Sequence, residues 1–441
     1  MPAPRRLRAT LAEAVGGLPP AFWWLWVSTL VNRLGGFVVT YLALYLTVEC
    51  GYPASYAGLV AGLFGLGSAI SSLGGGVLAD RLGRRPTLVA AQVTTAACTA
   101  ALGFADGPVT IAVVAFLVGL AANASRPAIA AMIADLVPPG DRVRAYALNY
   151  WAINIGFGVS AAVAGLIATH GYLTLFLLDA LSTLLCAAVV FVRVPETRPE
   201  TGDGSGAGHT DRAEPRVGLG TVFRDGRFMA LVGVNLLLAL VVQQGSTTLA
   251  VDMGRAGIST TQYGLVIGLN GLLIVLLQLP VGRLMEGRDR TALLVVSALL
   301  TGWGFGLTAL AGSSAGFFAF TVAVWTIGEI VAAPTMMGLV SELSPARARG
   351  RYQGVHSLSW SLASFLGPAA GGYLLDHAGS TVVWTACGVC GTVAAAAFLL
   401  VGRPPAAEAE PAATTVPAVT AVTAVTATVV ESTDAVAPAA P

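Results

Sequence analysis

Apolar residues gather into twelve runs of about twenty, and short polar stretches separate them. That is the pattern of helices crossing a hydrocarbon layer roughly 30 Å thick. The runs predict spans at 20–47, 57–79, 86–104, 109–134, 145–168 and 173–194, then at 228–251, 263–284, 291–311, 315–339, 352–375 and 382–401. The polar stretch at 195–227, which includes GDGSGAGHTDRAEP, reads as a flexible linker. It divides the chain into a tail at 1–19, a six-span half at 20–194, a second half at 228–402 and a Pro/Ala/Thr/Val-rich tail at 403–441. That last segment, with TAVTAVTATVV, reads as disordered.

The two halves repeat each other. YAGLVAGLFGL at 56–66 matches QYGLVIGLNGL at 262–272, with seven of eleven positions identical. Pro127 then falls on Pro334, ADLVP at 134–138 on SELSP at 341–345, and Arg142 on Arg349. Parallel repeats of six spans imply a site between the halves near mid-membrane, exposed to each side in turn by rocking.

Charge sets the orientation. All 24 basic residues are arginine, and 21 of them fall in the tails, the linker and the even-to-odd loops on one face. Positive loops stay cytoplasmic, so both termini are expected on the cytoplasmic side of the cell membrane. Only Arg255 falls in a loop of the other face, while Arg33 and Arg126 fall within spans.

Composition excludes several classes. With 55% hydrophobic and 11% charged residues, the chain is not a soluble domain, and a formal charge of +1 excludes a nucleic-acid binder working by bulk charge. Without lysine there is neither a Walker A loop nor a Schiff-base nucleophile. Cys50, Cys98, Cys186, Cys387 and Cys390 form no disulfide framework, and His170, His209, His356 and His377 have no metal-ligand spacing. Neither an enzyme nor a bound metal or cofactor is expected.

GVLADRLGRR at 76–85 resembles the loop 2-3 signature of the major facilitator superfamily, G-x-L-A-D-R-x-G-R-[RK]. Here Gly76 admits a neighbouring helix, Asp80 offers a carboxylate to a helix N-terminus, Gly83 makes the turn, and Arg81, Arg84 and Arg85 supply positive charge. The resemblance implies a cytoplasmic latch that joins the halves while the outside is open. Asp135 with Arg142, and Glu342 with Arg349, are similar to the E-x6-R element of the superfamily's sugar porters, and Pro195-Glu196-Thr197-Arg198 resembles their motif after span 6. These charges either open and close the cytoplasmic mouth or are simply solvated helix ends. Gly367, Pro368, Gly371 and Gly372 in span 11 resemble the GPxxGG element that the superfamily's antiporters carry in span 5. Span 5 itself reads SAAVAG at 160–165, so the element is equally a device for close helix packing.

The resemblance implies that spans 1, 4, 7 and 10 line the cavity, and they carry the mid-span polar residues: Asn32 and Arg33, Asn123 and Arg126, Gln243 and Gln244, and Glu329 with Trp325 one turn away. Asp179 in span 6 is a further acid. Intramembrane charge is costly unless it meets a partner or water. Glu329 is therefore either a proton carrier, because burial penalises its charged form, or a fixed ion-pair partner of Arg33 or Arg126. The two arginines are either structural or anion-binding, and Trp325, Phe37, Tyr41 and Tyr45 either stack on substrate or pack.

The chain is thus identified as a member of the major facilitator superfamily: an all-α integral membrane protein with twelve transmembrane helices in two pseudo-symmetric six-helix halves. It resembles the drug:proton antiporter group. The expectation is a monomeric carrier in the lipid bilayer of the cell membrane, exporting drug-like or amphipathic small molecules in exchange for protons. The alternative is a symporter or uniporter for one polar or anionic metabolite.

Overall fold

The computed structural model describes residues 16–197, 219–345 and 349–401. Among them every regular element is helical. The tail at 403–441, residues 1–15 and linker residues 198–218 lie outside the described residues.

Each apolar run becomes a helical rod. Span 1 is Pro20–Leu34 followed by Val38–Leu44 and a π turn, Tyr45–Glu49; span 2 is Ala54–Leu82 and span 3 Arg84–Gly103. Span 4 is Pro108–Asn123 with Ser125–Leu136, span 5 Arg142–Ile167 and span 6 Tyr172–Arg193. In the second half, span 7 is Gly226–Val242 with Thr248–Arg255, span 8 Thr260–Met285, span 9 Arg290–Gly306, span 10 Ala315–Leu343, span 11 Arg349–His377 and span 12 Ser380–Val401. Ten of these rods are long and apolar enough to cross a membrane. Spans 3 and 11 complete the repeat and carry more polar side chains, among them Gln92 and Thr95 in one and His356 and Ser359 in the other.

The ends follow local chemistry. Ser259 and Gln262 form a reciprocal capping box at the start of span 8, while Asp225, Asp289 and Ser314 cap spans 7, 9 and 10 through their side chains. Between spans 2 and 3 the chain turns on one residue, Gly83, at φ 105°, a backbone that L side chains avoid. The expectation of a flexible linker as far as 227 is corrected at its end. Leu219–Arg224 is helical, because Val222 is buried in the second half's core and the next residue already caps span 7.

Spans 1, 4 and 7 are each interrupted near their middle, at Gly35–Phe37, at Ala124 and at a 3₁₀ turn, Gln243–Gly245. Such breaks free backbone groups inside the membrane region and need partners there. In span 1 the freed Val38 N–H donates to Asp179 Oδ2 of span 6 at 3.1 Å. Gly35 permits the approach of that helix, since a Cβ in its place would collide with Ser182.

The halves meet along two glycine-lined seams. Span 2 packs on span 11 where Gly58 and Gly372 allow backbone to touch backbone, and span 5 packs on span 8 at Gly158 and Gly271. Buried apolar side chains form three clusters. One joins both halves at the arginine-poor end, including Tyr41, Leu46, Tyr172, Met253, Tyr263 and Trp384. The other two lie toward the arginine-rich end and each belongs to one half: Phe22, Leu88, Met132 and Val190 in the first, Phe228, Leu294, Val340 and Phe398 in the second. The molecule is fused at one end and divided at the other.

Candidate functional site

A cavity of about 440 Å³ lies between the halves, walled by spans 1, 2, 4, 7 and 11. Leu42, Phe64 and Trp360 supply apolar surface, and Asn123, Arg126, Gln243, Ser246, Thr247 and Ser364 the polar groups. Arg126 sits just past the break in span 4, in the middle of the rod, and is exposed because it faces this interior space. Its guanidinium has no hydrogen bond or ion pair to a described residue.

Of the mid-span residues picked from the sequence, Asn123, Arg126 and Gln243 line this cavity together. The others do not. Asn32 donates to Thr183 Oγ1 of span 6 at 3.1 Å, and Asp179 serves the break in span 1. Gln244 is a packing residue: its amide donates to the Leu240 and Gly367 carbonyls at 2.9 and 3.0 Å, and its oxygen accepts from Thr248 at 2.6 Å. Gly371 leaves the room that this amide occupies, so Gly367, Pro368, Gly371 and Gly372 act at the contacts of span 11 with spans 7 and 2.

Of the two alternatives for the aromatic residues, the structure shows packing. Trp325 is only 7% exposed and stacks on Phe305 at 5.0 Å and 13°, with Phe305 in turn stacked on Trp384. It is core. Tyr45 packs edge-on against Phe176, Phe37 is buried, and Tyr41 donates to the carbonyls of Ala161 and Thr260 at 3.0 and 3.1 Å.

Glu329 faces spans 5 and 8. Its Oε2 accepts from Asn270 Nδ2 at 3.2 Å, the same amide donates to Thr326 Oγ1 at 3.0 Å, and Tyr150 lies within electrostatic reach. Among the described residues Glu329 has no ion pair, so the fixed pairing with Arg33 or Arg126 is absent here. The Arg33 guanidinium likewise has no hydrogen bond or ion pair among them; the residue packs against Gly156 of span 5, with Asp179 and Arg126 in electrostatic reach. Sequence reasoning missed Asn270, although a signal exists. In the repeat it stands where the first copy has Phe64, a polar residue substituted into an apolar motif.

Among the described residues at the arginine-rich end the ion pairs lie within each half, and Asp135 pairs with Arg84 and not with Arg142 six residues on. Arg84 lies 3.4 Å from Asp80 and 3.3 Å from Asp135, and the repeat-related Arg290 pairs with Glu342. Arg142 instead donates to the Val137 carbonyl, and the Arg349 side chain lies outside the described residues. Asp80 is 73% exposed and pairs with no described residue of the other half. Glu196 accepts from the backbone N–H groups of Arg84 and Arg85 at 2.9 and 3.1 Å, capping span 3, while Arg85 covers Phe191. Arg198 lies outside the described residues.

At the opposite end the halves are bonded to each other. Asp376, closing span 11, accepts from Ala54 and Ser55 N–H at 3.2 and 2.6 Å, at the N-terminus of span 2, and pairs with Arg255. Tyr263 donates to the Thr40 carbonyl and Thr261 to the Gly165 carbonyl, each at 3.1 Å. Of these residues, sequence reasoning noted only Arg255, and for its place on this face rather than for a contact.

A family model described as Major Facilitator Superfamily matches residues 25–254 and 245–432. The uncharacterised MFS-type transporter YttB of Bacillus subtilis (strain 168) is 28% identical over 82% of this chain and 90% of its own length. The multidrug resistance protein MdtH of Cronobacter sakazakii (strain ATCC BAA-894) is 27% identical over 80% of this chain and 86% of its own. Among solved structures, the peptide transporter POT in complex with sulfate superposes with a TM-score of 0.74 at 17% identity, over 88% of this chain and 95% of that one. The nucleoside transporter NupG gives 0.73 at 13% identity, over 88% and 100%.

Proposed function

The chain belongs to the Major Facilitator Superfamily, as a multi-pass membrane transporter rather than an enzyme, and on that premise we propose that it exports small amphipathic molecules across the cell membrane by alternating access, driven by protons. The observation that carries alternating access is the division of the apolar core. One cluster shared by the halves seals the arginine-poor end, and two private clusters leave the arginine-rich end free to part. Because arginine-rich loops stay cytoplasmic, this arrangement opens inward, with cytoplasmic termini and a cavity reached from the cell interior. Rocking breaks the Asp376 and Tyr263 contacts and brings Asp80 across to the other half as a latch. The names of the MdtH relatives support export of drug-like compounds.

Glu329 carries the coupling proton in this reading. A mid-membrane carboxyl held only by the neutral Asn270 amide is not locked into its charged form by a cation. It binds a proton when facing one side and releases it when facing the other. The test is Glu329→Gln in proteoliposomes, which keeps shape and hydrogen bonding but fixes the group as neutral. Exchange of substrate between two loaded sides should survive, while accumulation driven by a pH gradient should fail. Full pH-driven accumulation in the mutant would assign the proton elsewhere, Asp179 being the next acid.

A further inference from the structure

We propose that the cargo of the central cavity is an amphipathic anion, whose acidic group is taken by Arg126; this rests on the reading of the chain as a carrier and names the charge class of what it carries. At loops and helix ends the described arginines meet water or a partner, some an acid, as Arg84 with Asp80 and Asp135, Arg290 with Glu342 and Arg255 with Asp376, and others a carbonyl or a ring, as Arg142 at Val137 and Arg85 at Phe191. The two within the spans, Arg33 and Arg126, have no ion pair with any described residue.

Depth makes that difference matter. A guanidinium at mid-membrane is tolerated where water or an anion reaches it, and Arg126 faces the cavity. The acids nearby are committed or displaced. Asp179 accepts from Val38 N–H and Thr183, and Glu329 is held by Asn270 and does not line the cavity wall. Arg33 lies within electrostatic reach of Arg126, so an anion seated beside Arg126 would meet positive charge and a fork of donors that no described residue takes.

The rest of the wall limits the remainder of the cargo. Asn123 and Gln243 add neutral hydrogen-bonding groups beside the guanidinium, and Phe64, Leu42 and Trp360 give an apolar face for a hydrophobic body. A carboxylate, sulfonate or phosphate on an aromatic or aliphatic skeleton satisfies both. A cation would meet a guanidinium and no free carboxylate.

The test is equilibrium binding, without a gradient, of three probes with one skeleton to the purified full-length protein in lipid nanodiscs at neutral pH, with empty discs as the blank. The probes are 2-naphthoxyacetate, its neutral amide and the corresponding ethylamine. The acetate should bind saturably and at least tenfold more tightly than the amide or the amine. Arg126→Ala should reduce its affinity at least tenfold, to the level of the amide, while Arg126→Lys retains part of the preference. Circular dichroism and thermal unfolding check that the variants fold, and if Arg126→Ala does not fold, Arg126→Gln takes its place. Equal or tighter binding of amide or amine, no saturable binding of the acetate, or unchanged acetate affinity in the folded alanine or glutamine variant would each overturn the assignment. Because no gradient is applied, the outcome is independent of coupling. Acetate binding that survives while pH-driven transport proves absent counts against the proton-coupled reading alone.

Discussion

Replacing Asp376 by alanine should open the outer end of the transporter. Its carboxylate holds the first turn of span 2 through Ser55 N–H at 2.6 Å and Ala54 N–H at 3.2 Å, and pairs with Arg255. Losing a capping carboxylate costs about 1 kcal/mol. The ion pair, worth about 0.5 kcal/mol because the Arg255 side chain is 46% exposed and screened by water, joins spans 7 and 11 of the same half and is kept in both states. Only the Ala54 and Ser55 contacts cross between the halves, so in the proposed cycle about 1 kcal/mol is lost from the outside-closed arrangement, which shifts the equilibrium roughly fivefold toward the outside-open state. A cysteine at Val39, a cavity position 53% exposed, reports that state when the five native cysteines have been replaced. While the outside-open state is the minor one, its labelling rate with a membrane-impermeant maleimide added outside is proportional to its population. Asp376→Ala should therefore speed labelling about fivefold, and Arg255→Ala, which removes only a pair within one half, should leave the rate within about twofold. A rate unchanged within twofold for Asp376→Ala, or a larger effect of Arg255→Ala, would refute the reasoning.

Three further outcomes are expected. Trp325→Ala, which unstacks a buried indole from Phe305, should lower stability by about 3–5 kcal/mol in thermal unfolding and leave the preference for an anionic probe intact; a change of probe preference without loss of stability would return Trp325 to the binding surface. Asp80→Asn should change unfolding stability by less than about 0.5 kcal/mol, since Asp80 is mostly exposed, yet slow transport by removing the latch of the opposite state; transport at the wild-type rate would show that the latch is not needed. Tyr263→Phe should weaken the outer closure by about 1 kcal/mol through the lost bond to the Thr40 carbonyl, measured as a several-fold gain in the same maleimide labelling, and no gain would mean that the ring alone makes the closure.

Twelve rods were legible in the sequence because a bilayer demands about twenty apolar residues per crossing, and nothing tertiary overrides that demand. Observed helices begin and end close to the apolar runs, extending at capping or turn residues such as Ser259 and Gly83. The breaks in spans 1, 4 and 7 were not legible. The one in span 1 depends on Asp179 and Ser182 of span 6, a contact that spacing along the chain cannot reveal. The Asp135 pairing failed for a local reason. The chain leaves the helix at Val137 and turns through Pro139–Asp141, so Arg142 starts a new helix and does not face Asp135, while Arg84 arrives from another loop. Trp325 was read correctly as one turn from Glu329, but Phe305 on span 9 decides where its ring goes. The cavity was legible in part. Asn123, Arg126 and Gln243, picked from the sequence, stand on its wall, while Phe64 and Trp360 come from spans 2 and 11, whose mid-span serines, such as Ser68, Ser361 and Ser364, sequence reasoning did not read as cavity residues.

In the proposed alternating-access cycle, the apolar cluster shared by the two halves gives transport a calorimetric character. Facing outward in that cycle requires taking apart packing such as Tyr41 against Tyr263 and that of Gly254 beside Leu44, and admits water to apolar surface that the private clusters keep buried. Hydration of apolar surface raises heat capacity, so the enthalpy separating the two states changes with temperature. Arrhenius plots of turnover should curve, and cooling should weaken the seal and favour the outward-facing form. Each half, with its own core, should meanwhile move as a body whose internal packing is nearly temperature-neutral during the cycle.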